Sequence, residues 1–174
     1  MRIIAGSARG RPLRAKLPDT VRPTTDYARE AIFSMLESRG GLHGLVVVDL
    51  FCGSGALGLE ALSRGASEVY FVDSDPACLE AARSNYATLG FEARAHFVRA
   101  TLPSWRVPDS VDLVLMDPPY GPLDTGAVLG ESRVSRVVVE NDRFVEAPGY
   151  DVVKQKRYGT TLVTMLEPTA QDVS

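Results

Sequence analysis

The sequence predicts an α/β fold, a Rossmann-like, doubly wound and mostly parallel sheet of seven strands. From residue 45 onward, apolar strand patterns alternate with amphipathic helix patterns, which favours right-handed crossovers and helices on both faces of one sheet. A glycine-rich loop follows the first of these strands, and several strands end in an aspartate. Because ligands of such sheets bind at the carboxyl ends of the strands, these motifs are expected to meet at one edge.

The chain opens with a basic segment that we expect to form a β-hairpin. The stretch RIIAGSARGRPLRA predicts two short strands around a glycine-containing turn, and residues 1–22 are an N-terminal extension of a domain that spans 23–174. A helix is predicted next, in RPTTDYAREAIFSML. Its caps lie between Thr24 and Asp26, and it stops at Gly40 and Gly41.

The remaining elements alternate in type along the chain. The segment LVVVDLF predicts a fully buried strand, and a helix follows over 56–64. A second helix has Asp75 as its cap, Pro76 in its first turn and Gly90 at its end. Further strands are predicted in EVYFVD, ARAHFV, VDLVLMD and RVVVE, and the tail DVVKQKRYGTTLVTML predicts an antiparallel hairpin that turns near Tyr158 and Gly159.

Composition limits the class of protein. With 45% hydrophobic and 24% charged residues, the chain has the profile of an ordinary globular domain. No apolar run reaches the ~18–20 residues of a membrane span, and no signal-peptide pattern begins the chain. Cys52 and Cys78 have no metal or disulfide spacing. These observations predict a cytoplasmic protein with no metal and no membrane partner.

The net charge of −3 is unevenly distributed along the chain. Residues 1–39 hold eight basic and four acidic side chains, a balance of +4, whereas the rest holds 11 basic and 18 acidic, a balance of −7. A basic arm on an acidic body suggests that the arm contacts a polyanion, the alternative being a solvated basic tail. The candidate phosphate-binding residues are Arg9, Arg11, Arg14 and Arg22.

The loop DLFCGSGALGLEAL indicates a nucleoside-binding turn. Gly53, Gly55 and Gly58 match the G-x-G-x-x-G pattern, which lets backbone approach a ligand at a helix N-terminus. Asp73 ends the next strand, where its carboxylate can accept hydrogen bonds from both hydroxyls of a ribose. On this evidence alone, a nicotinamide cofactor fits as well as any other.

Asp49 favours a cationic cofactor. It lies four residues before Gly53, where a carboxylate would repel a pyrophosphate and attract a positive charge. S-adenosylmethionine is a nucleoside with an ammonium, a sulfonium and no phosphate, so it satisfies both conditions. The alternatives are structural: Asp49 would cap the following turn, and Asp73 would cap the end of its strand.

The stretch DLVLMDPPYGP ends a predicted strand in a carboxylate, two prolines and an aromatic ring. The exocyclic amine of a nucleobase is a poor nucleophile because its lone pair is delocalised into the ring. Asp117 can accept one N–H and the carbonyl of Pro118 the other, which aims the nitrogen lone pair at a methyl donor. Pro118 and Pro119 fix the backbone, and Tyr120 can stack on the target base. The alternative is an ordinary strand-to-loop turn.

Other chemistries lack the residues that they require. Methylation at a base carbon would need a cysteine nucleophile, typically beside proline, and neither cysteine has that context. His43 and His96 lie far apart in the sequence with no serine or cysteine partner nearby, and the chain has no G-K-[ST] phosphate loop. Transfer to an amine therefore stays the favoured reaction.

Together these motifs resemble the bacterial 16S ribosomal-RNA guanine-N2 methyltransferases, the class that modifies the small subunit. The resemblance covers nearly the whole chain, in MRIIAGSARGRPL, RPTTDYAREAIF, DLFCGSGALGLEALSRGA, VDSDPACLEAARSN, DPPY and KRYGTTL. It implies a class I S-adenosylmethionine-dependent methyltransferase sheet with the cofactor at the loop around Gly53. It also implies a guanine of 16S rRNA as the substrate, within the small ribosomal subunit or its assembly intermediate.

The resemblance also implies roles for individual residues. Catalytic roles fall on Asp117, Pro118, Pro119 and Tyr120, and cofactor contacts fall on Asp49, Phe51, Gly53, Gly55, Asp73, Ser74 and Thr101. Thr101 departs from the family, which usually has Asp or Asn there to meet the adenine amino group. The segment GPLDTGAVLGESRVSR leaves barely one helix after Tyr120, and Tyr27 stands where the family often has a basic residue.

We therefore expect a monomeric enzyme that methylates the exocyclic N2 amine of a guanine in 16S rRNA. Two other classes of protein stay open. A DNA or protein amine methyltransferase would share all of this chemistry. A non-enzymatic RNA-binding assembly factor would keep the fold around a site that no longer works.

Overall fold

The computed structural model describes residues 1–19 and 25–170. Its strands are β1 (Val46–Leu50), β2 (Glu68–Asp73), β3 (Arg94–Arg99), β4 (Leu113–Met116), β5 (Arg136–Asn141), β6 (Tyr150–Tyr158) and β7 (Thr161–Pro168). They form one sheet in the order β3-β2-β1-β4-β5-β7-β6. Strands β1 to β5 are parallel, and β7 is antiparallel to both of its neighbours. The predicted seven-stranded, mostly parallel sheet is confirmed.

The helices of the described ranges are α1 (Asp26–Glu37), α2 (Ala56–Ser63), α3 (Pro76–Leu89) and α4 (Thr125–Leu129). Two begin at the caps that the sequence predicts: Thr25 Oγ1 accepts from the Ala28 N–H at 3.1 Å, and the Asp75 carboxyl accepts from the Ala77 N–H at 2.8 Å. Helix α4 has only five residues, as short as predicted. Within the described ranges, no helix is long and apolar enough to cross a membrane.

The two faces of the sheet are covered by different parts of the chain. On the first face, the N-terminal segment (residues 1–15) and helices α1, α2 and α3 pack against strand side chains such as Val47 and Phe71. On the second face, the connection from β3 to β4, helix α4 and the chain around it pack against Val48, Val72 and Met116. The second face therefore has little helical cover, and its loops form the walls of the site described below.

The N-terminal segment folds back on itself with less strand structure than predicted. One isolated antiparallel bridge joins Arg2 to Pro12, and the Ile3 N–H donates to the Arg11 carbonyl at 2.9 Å. The hairpin thus exists as a single bridge and not as two short strands. Ile3 and Leu13 are buried in the core of the first face, so the segment is part of the domain's own core.

Two side chains of α2 hold the N-terminal segment in place. The buried carboxylate of Glu60 accepts from the N–H groups of Ile4 at 2.8 Å and Ala5 at 2.9 Å. The Ser63 hydroxyl accepts from the Ala8 N–H at 3.0 Å. Because these donors have no strand partner, the two α2 side chains replace the ladder that the bridge does not provide.

Candidate active site

The carboxyl ends of three neighbouring strands bring predicted site residues together. Strand β1 lies between β2 and β4, and Leu50 pairs with Val72 on one side and with Met116 on the other. The residues that follow these partners, Asp73 and Asp117, therefore flank the point where β1 passes into the glycine loop. In residues 1–19 and 25–170, no group of three or more His, Cys, Asp or Glu side chains could hold a metal ion.

The glycine loop turns the chain sharply between β1 and α2. Phe51, Gly53 and Gly55 have positive φ angles of 60°, 53° and 77°, and Gly55 is the N-cap of α2. Gly58 is needed for a different reason, since a Cβ there would lie 2.4 Å from Cε1 of Phe71. The motif's third glycine thus lets α2 pack closely on β2.

Asp73 fixes the loop and keeps acceptor capacity for a ligand. Its Oδ2 accepts from the Gly53 N–H at 3.0 Å, and its Oδ1 accepts from the Asp75 N–H at 2.9 Å. Asp73 therefore also has the structural role that the sequence left open, since it caps the end of β2. An ionised carboxylate offers about four acceptor positions, so about half of them remain for the hydroxyls of a ribose.

A pocket of about 310 Å³ opens beside Asp73. This volume lies within the range of about 300–1,000 Å³ that is typical of small-ligand sites. Phe51, Ser74 and Thr101, which the sequence predicts as cofactor contacts, line it together with apolar side chains that include Leu123. The largely apolar wall suits a nucleoside base, and Thr101 supplies a polar group.

Asp49 lies deeper than the pocket and caps helix α2. Its side chain is 1% exposed, and its Oδ2 accepts from the Gly58 N–H at 2.8 Å. Burial raises the pKa of the Asp49 carboxyl well above its usual range, the Gly58 hydrogen bond opposes this shift, and the charges of Asp117 and Asp73 raise the pKa further. The capping alternative considered from the sequence is thus what this carboxyl does in the structure.

The charge around Asp49 still favours a cationic ligand. Its Oδ1 has no hydrogen-bond partner among the described residues, and the charges that shift its pKa are those of the acidic Asp117 and Asp73. A cation bound at this edge would relieve the repulsion among the three carboxylates. An acidic edge beside a nucleoside-sized pocket fits S-adenosylmethionine, whose nucleoside Asp73, Phe51 and Thr101 would hold.

The Asp117–Tyr120 segment leaves β4 toward the solvent side of this edge. Asp117 is half-buried, Pro118 is buried and Pro119 is exposed. The Tyr120 side chain is 39% exposed, so one part of its ring is open to a ligand. Asp117 thus lies at the same carboxyl edge as Asp73, which lines the pocket, and the chain that follows Tyr120 reaches the pocket wall at Leu123 and Asp124.

Two residues that the sequence analysis did not assign hold this segment. The hydroxyls of Tyr120 and Thr161 lie 2.7 Å apart, and the Asn141 Nδ2 donates to the Gly121 carbonyl at 3.2 Å. Thr161 lies in the KRYGTTL motif, and Asn141 ends β5 at the same edge, so both positions carried a signal. The segment is therefore held from β5 and β7, the strands beyond β4.

The structure gives Arg11 a role other than the predicted phosphate contact. Its guanidinium donates to the carbonyls of Thr88 at 2.6 Å and Leu89 at 2.5 Å, at the C-terminus of α3. A cation at this end also complements the helix dipole. Because the phosphate role would compete with these bonds, we interpret Arg11 as a cap of α3.

The other predicted phosphate contacts have varied surroundings. Arg9 is exposed in the turn beside the C-termini of α2 and α3, which point away from the carboxyl edge because crossover helices run antiparallel to the strands. The exposed Arg14 lies nearer the site: its N–H donates to Asn85, whose amide donates to the Ser54 carbonyl in the glycine loop. Arg22 lies outside the described residues.

A family model described as Conserved hypothetical protein 95 matches residues 1–167 of the chain. The Bacillus subtilis (strain 168) protein "Putative rRNA methyltransferase YlbH" is 36% identical over 182 residues, which cover 95% of this chain and 97% of that protein. "Ribosomal RNA small subunit methyltransferase D" of Escherichia coli (strain K12) is 37% identical over 122 residues, which cover 69% of this chain and 60% of that protein.

Solved structures agree with the fold. "Putative methyltransferase yhhF from Escherichia coli" superposes with a TM-score of 0.80 at 29% identity, over 98% of this chain and 99% of that chain. Another methyltransferase of this fold has been solved with S-adenosylmethionine bound. The predicted class I methyltransferase fold and its cofactor, S-adenosylmethionine, are confirmed.

Proposed function

The chain belongs to the family described as Conserved hypothetical protein 95, and from that premise we propose that it methylates the exocyclic N2 amine of a guanine in 16S rRNA. Two relatives have names that describe ribosomal-RNA methyltransferases, one of them of the small subunit. The observation that supports the proposal is that Asp117 and Asp73 flank the end of β1 at one edge of the sheet, where Asp73 lines the pocket. The partner is the small ribosomal subunit or its assembly intermediate, and the enzyme acts as a monomer.

Asp117 and Pro118 activate the target amine. The Asp117 carboxylate accepts one N–H of the amine, and the Pro118 carbonyl accepts the other. These bonds draw the hydrogens out of the plane of the base, so the nitrogen lone pair is less delocalised and points toward the cofactor. The fixed φ angle of Pro119 limits how the Pro118 carbonyl can turn, so that this carbonyl stays directed at the substrate. S-adenosylmethionine, when bound, supplies the electrophilic methyl group.

Tyr120 positions the base for this reaction. Its ring stacks on the flipped guanine, a contact worth about 1–3 kcal/mol in single-strand binding. The hydrogen bond with Thr161 holds the ring in place before the base arrives. Most of the rate acceleration then comes from proximity and orientation. Asp117 need not be a strong base, because the methylated ammonium product readily sheds its proton.

Replacing the carboxylate tests the clamp. The assay measures transfer of a labelled methyl group from S-adenosylmethionine to small subunits from cells that lack the enzyme, followed by mapping of the modified nucleotide. Wild type should modify one guanine at N2. Asp117→Ala should lower the rate by about 10²-fold or more, while cofactor affinity, measured by calorimetry, should fall far less because Asp49 and Asp73 remain.

Asp109→Ala is the matched control, since it removes an exposed carboxylate in the loop before β4. It should retain the wild-type rate. Full activity of Asp117→Ala would refute the clamp, and preferential methylation of DNA or peptides by the wild type would refute the substrate. A wild-type protein that produces no heat with S-adenosylmethionine would be a non-enzymatic assembly factor.

A further inference from the structure

A second cavity lies on the first face of the sheet, between α1 and β6. Its volume is about 430 Å³, and no residue of the cofactor pocket lines it. We name it the α1–β6 groove. Helix α1 contributes Tyr27, Glu30, Ala31, Ser34 and Met35, and β6 contributes Lys154, Lys156 and Tyr158.

The end of the groove at Tyr27 and Tyr158 combines two aromatic rings with a cation. Tyr27 is 66% exposed, and its ring lies 5.3 Å from the Tyr158 ring in an edge-to-face arrangement. The Lys156 Nζ lies 5.2 Å from the centre of the Tyr158 ring. An exposed aromatic face next to an ammonium is the combination that binds an unpaired base and its phosphate.

The groove is basic although its two lysines lie in the acidic part of the chain. Lys154 and Lys156 are exposed, and neither forms an ion pair within 4.0 Å among the described residues. Glu30 is the acidic side chain among the lining residues, so the lining has a positive balance. This balance favours a polyanion over a polycation such as a lysine-rich peptide.

Contacts at the end of the β6–β7 hairpin connect the groove to the candidate active site. Tyr158 pairs across the β6–β7 hairpin with Thr161, whose hydroxyl lies 2.7 Å from that of Tyr120. Strand β6 runs parallel to β5, because β7 is antiparallel to both, so Tyr158 lies at the carboxyl edge of the sheet. A strand of nucleic acid that leaves the target base beside Tyr120 would enter the groove at Tyr158.

We propose that the α1–β6 groove binds the single-stranded RNA that adjoins the target nucleotide. Tyr27 and Tyr158 stack on an unpaired base, and Lys154 and Lys156 contact the phosphates that follow it. An unpaired strand is specified because the rings can stack only on bases that are not inside a duplex. The identity of the nucleic acid rests on the proposed function, whereas the location of the groove does not.

Neutralising the two lysines tests the phosphate contacts. The probe is a labelled, guanine-containing, single-stranded oligoribonucleotide, and its affinity is measured by fluorescence anisotropy at several salt concentrations. Lys154→Gln/Lys156→Gln should weaken binding about tenfold and reduce the slope of log affinity against log salt by about 1.4, since each phosphate contact on a single strand contributes about 0.7. Calorimetry should show unchanged affinity for S-adenosylmethionine.

The matched control removes the same charge at the opposite edge of the sheet. Arg83 on α3 and Arg94 on β3 are exposed, and β3 is the edge strand farthest from β6. Arg83→Gln/Arg94→Gln should bind the probe with the affinity and salt slope of the wild type. A similar loss in both double variants would reflect net charge alone and would overturn the proposal.

Tyr27→Leu tests stacking separately, since Tyr27 is exposed and its loss should not affect folding. This variant should bind the probe about tenfold more weakly, while the slope of log affinity against log salt stays at the wild-type value. If wild type, Tyr27→Leu and the lysine variant bind the probe equally, the proposal that the groove binds RNA is wrong. It is also wrong if the wild type does not bind the probe. If the lysine variant binds the probe more weakly than the wild type does, but the wild type methylates no RNA, the groove binds RNA as proposed and the proposed methylation is wrong.

Discussion

At the buried Asp49, one hydrogen bond opposes the combined effect of burial and neighbouring charge on ionisation. Its carboxyl caps α2 through Gly58, which favours ionisation, while burial and the charges of Asp117 and Asp73 disfavour it. Burial is the largest of these effects, so the pKa of Asp49 is raised. The folded chain therefore retains this proton over a pH range in which the unfolded chain releases it.

We expect Asp49→Asn to flatten the dependence of stability on pH. Below the ordinary carboxyl pKa of 3.8, Asp49 is protonated in the folded and the unfolded chain and contributes no pH dependence. As the pH rises above 3.8, the unfolded chain ionises first, so this group lowers the free energy of unfolding until the raised folded pKa is reached. Urea unfolding at a series of pH values measures the slope.

The control for this variant is Asp109→Asn, which removes an exposed carboxylate and should leave the pH profile of the wild type in place. A change in the free energy of unfolding of Asp49→Asn that is the same at every pH reflects the changed side chain. A change in its slope against pH reflects the lost titration of Asp49. Parallel profiles for the wild type and Asp49→Asn would show that Asp49 has the same pKa in both states.

At the scale of elements, helix ends show which contacts a sequence can predict. Thr25 and Asp75 cap helices through bonds that span two or three residues, so the local sequence is sufficient. Arg11 caps α3 across 77 and 78 residues, and nothing near Arg11 in the sequence indicates that helix. Its charge instead suggested a phosphate contact.

We expect Arg11→Ala to lower the free energy of unfolding by about 1–3 kcal/mol, because two charge-assisted hydrogen bonds to the end of α3 are lost. Arg9→Ala, an exposed neighbour, should change it by less than about 0.5 kcal/mol. Urea unfolding measures both. A phosphate contact by Arg11 would instead appear as a reduced salt slope of RNA binding with unchanged stability.

The sequence predicts those site residues that directly follow the ends of strands. Valine-rich strands and an acid at each end place Asp73 and Asp117 at one edge, and parallel topology makes them neighbours. The hydrogen bond between Tyr120 and Thr161 was not predictable, since it depends on how the β6–β7 hairpin lies against β5. The α1–β6 groove is not predictable either, because it depends on how α1 packs beside β6.

At the scale of the whole molecule, the N-terminal segment belongs to the core. Ile3 is fully buried, and Glu60 and Ser63 on α2 bind the backbone around it. Deleting the segment would therefore expose the first face of the sheet, and a resulting loss of RNA binding would not distinguish a phosphate role from unfolding. Substitutions at the exposed Arg9 and Arg14 are the proper test of that role.

Ile3→Ala should lower the free energy of unfolding by about 2–5 kcal/mol, the usual effect of truncating a fully buried isoleucine. Thermal or urea unfolding followed by circular dichroism measures it. Phe144→Ala, which truncates a side chain that is 53% exposed, should change stability by less than about 0.5 kcal/mol. An equally small effect of Ile3→Ala would mean that the segment is an independent extension.

The turn between β6 and β7 consists of Gly159 and Thr160 alone. The strand before it lines the proposed RNA groove, and the strand after it begins with Thr161, whose hydroxyl contacts that of Tyr120. If the groove binds RNA as proposed, so short a connection would fix the distance, and hence the number of nucleotides, between the bound strand and the methyl donor. Discrimination between adjacent guanines would then depend on spacing along the RNA, even where the local base sequence is identical.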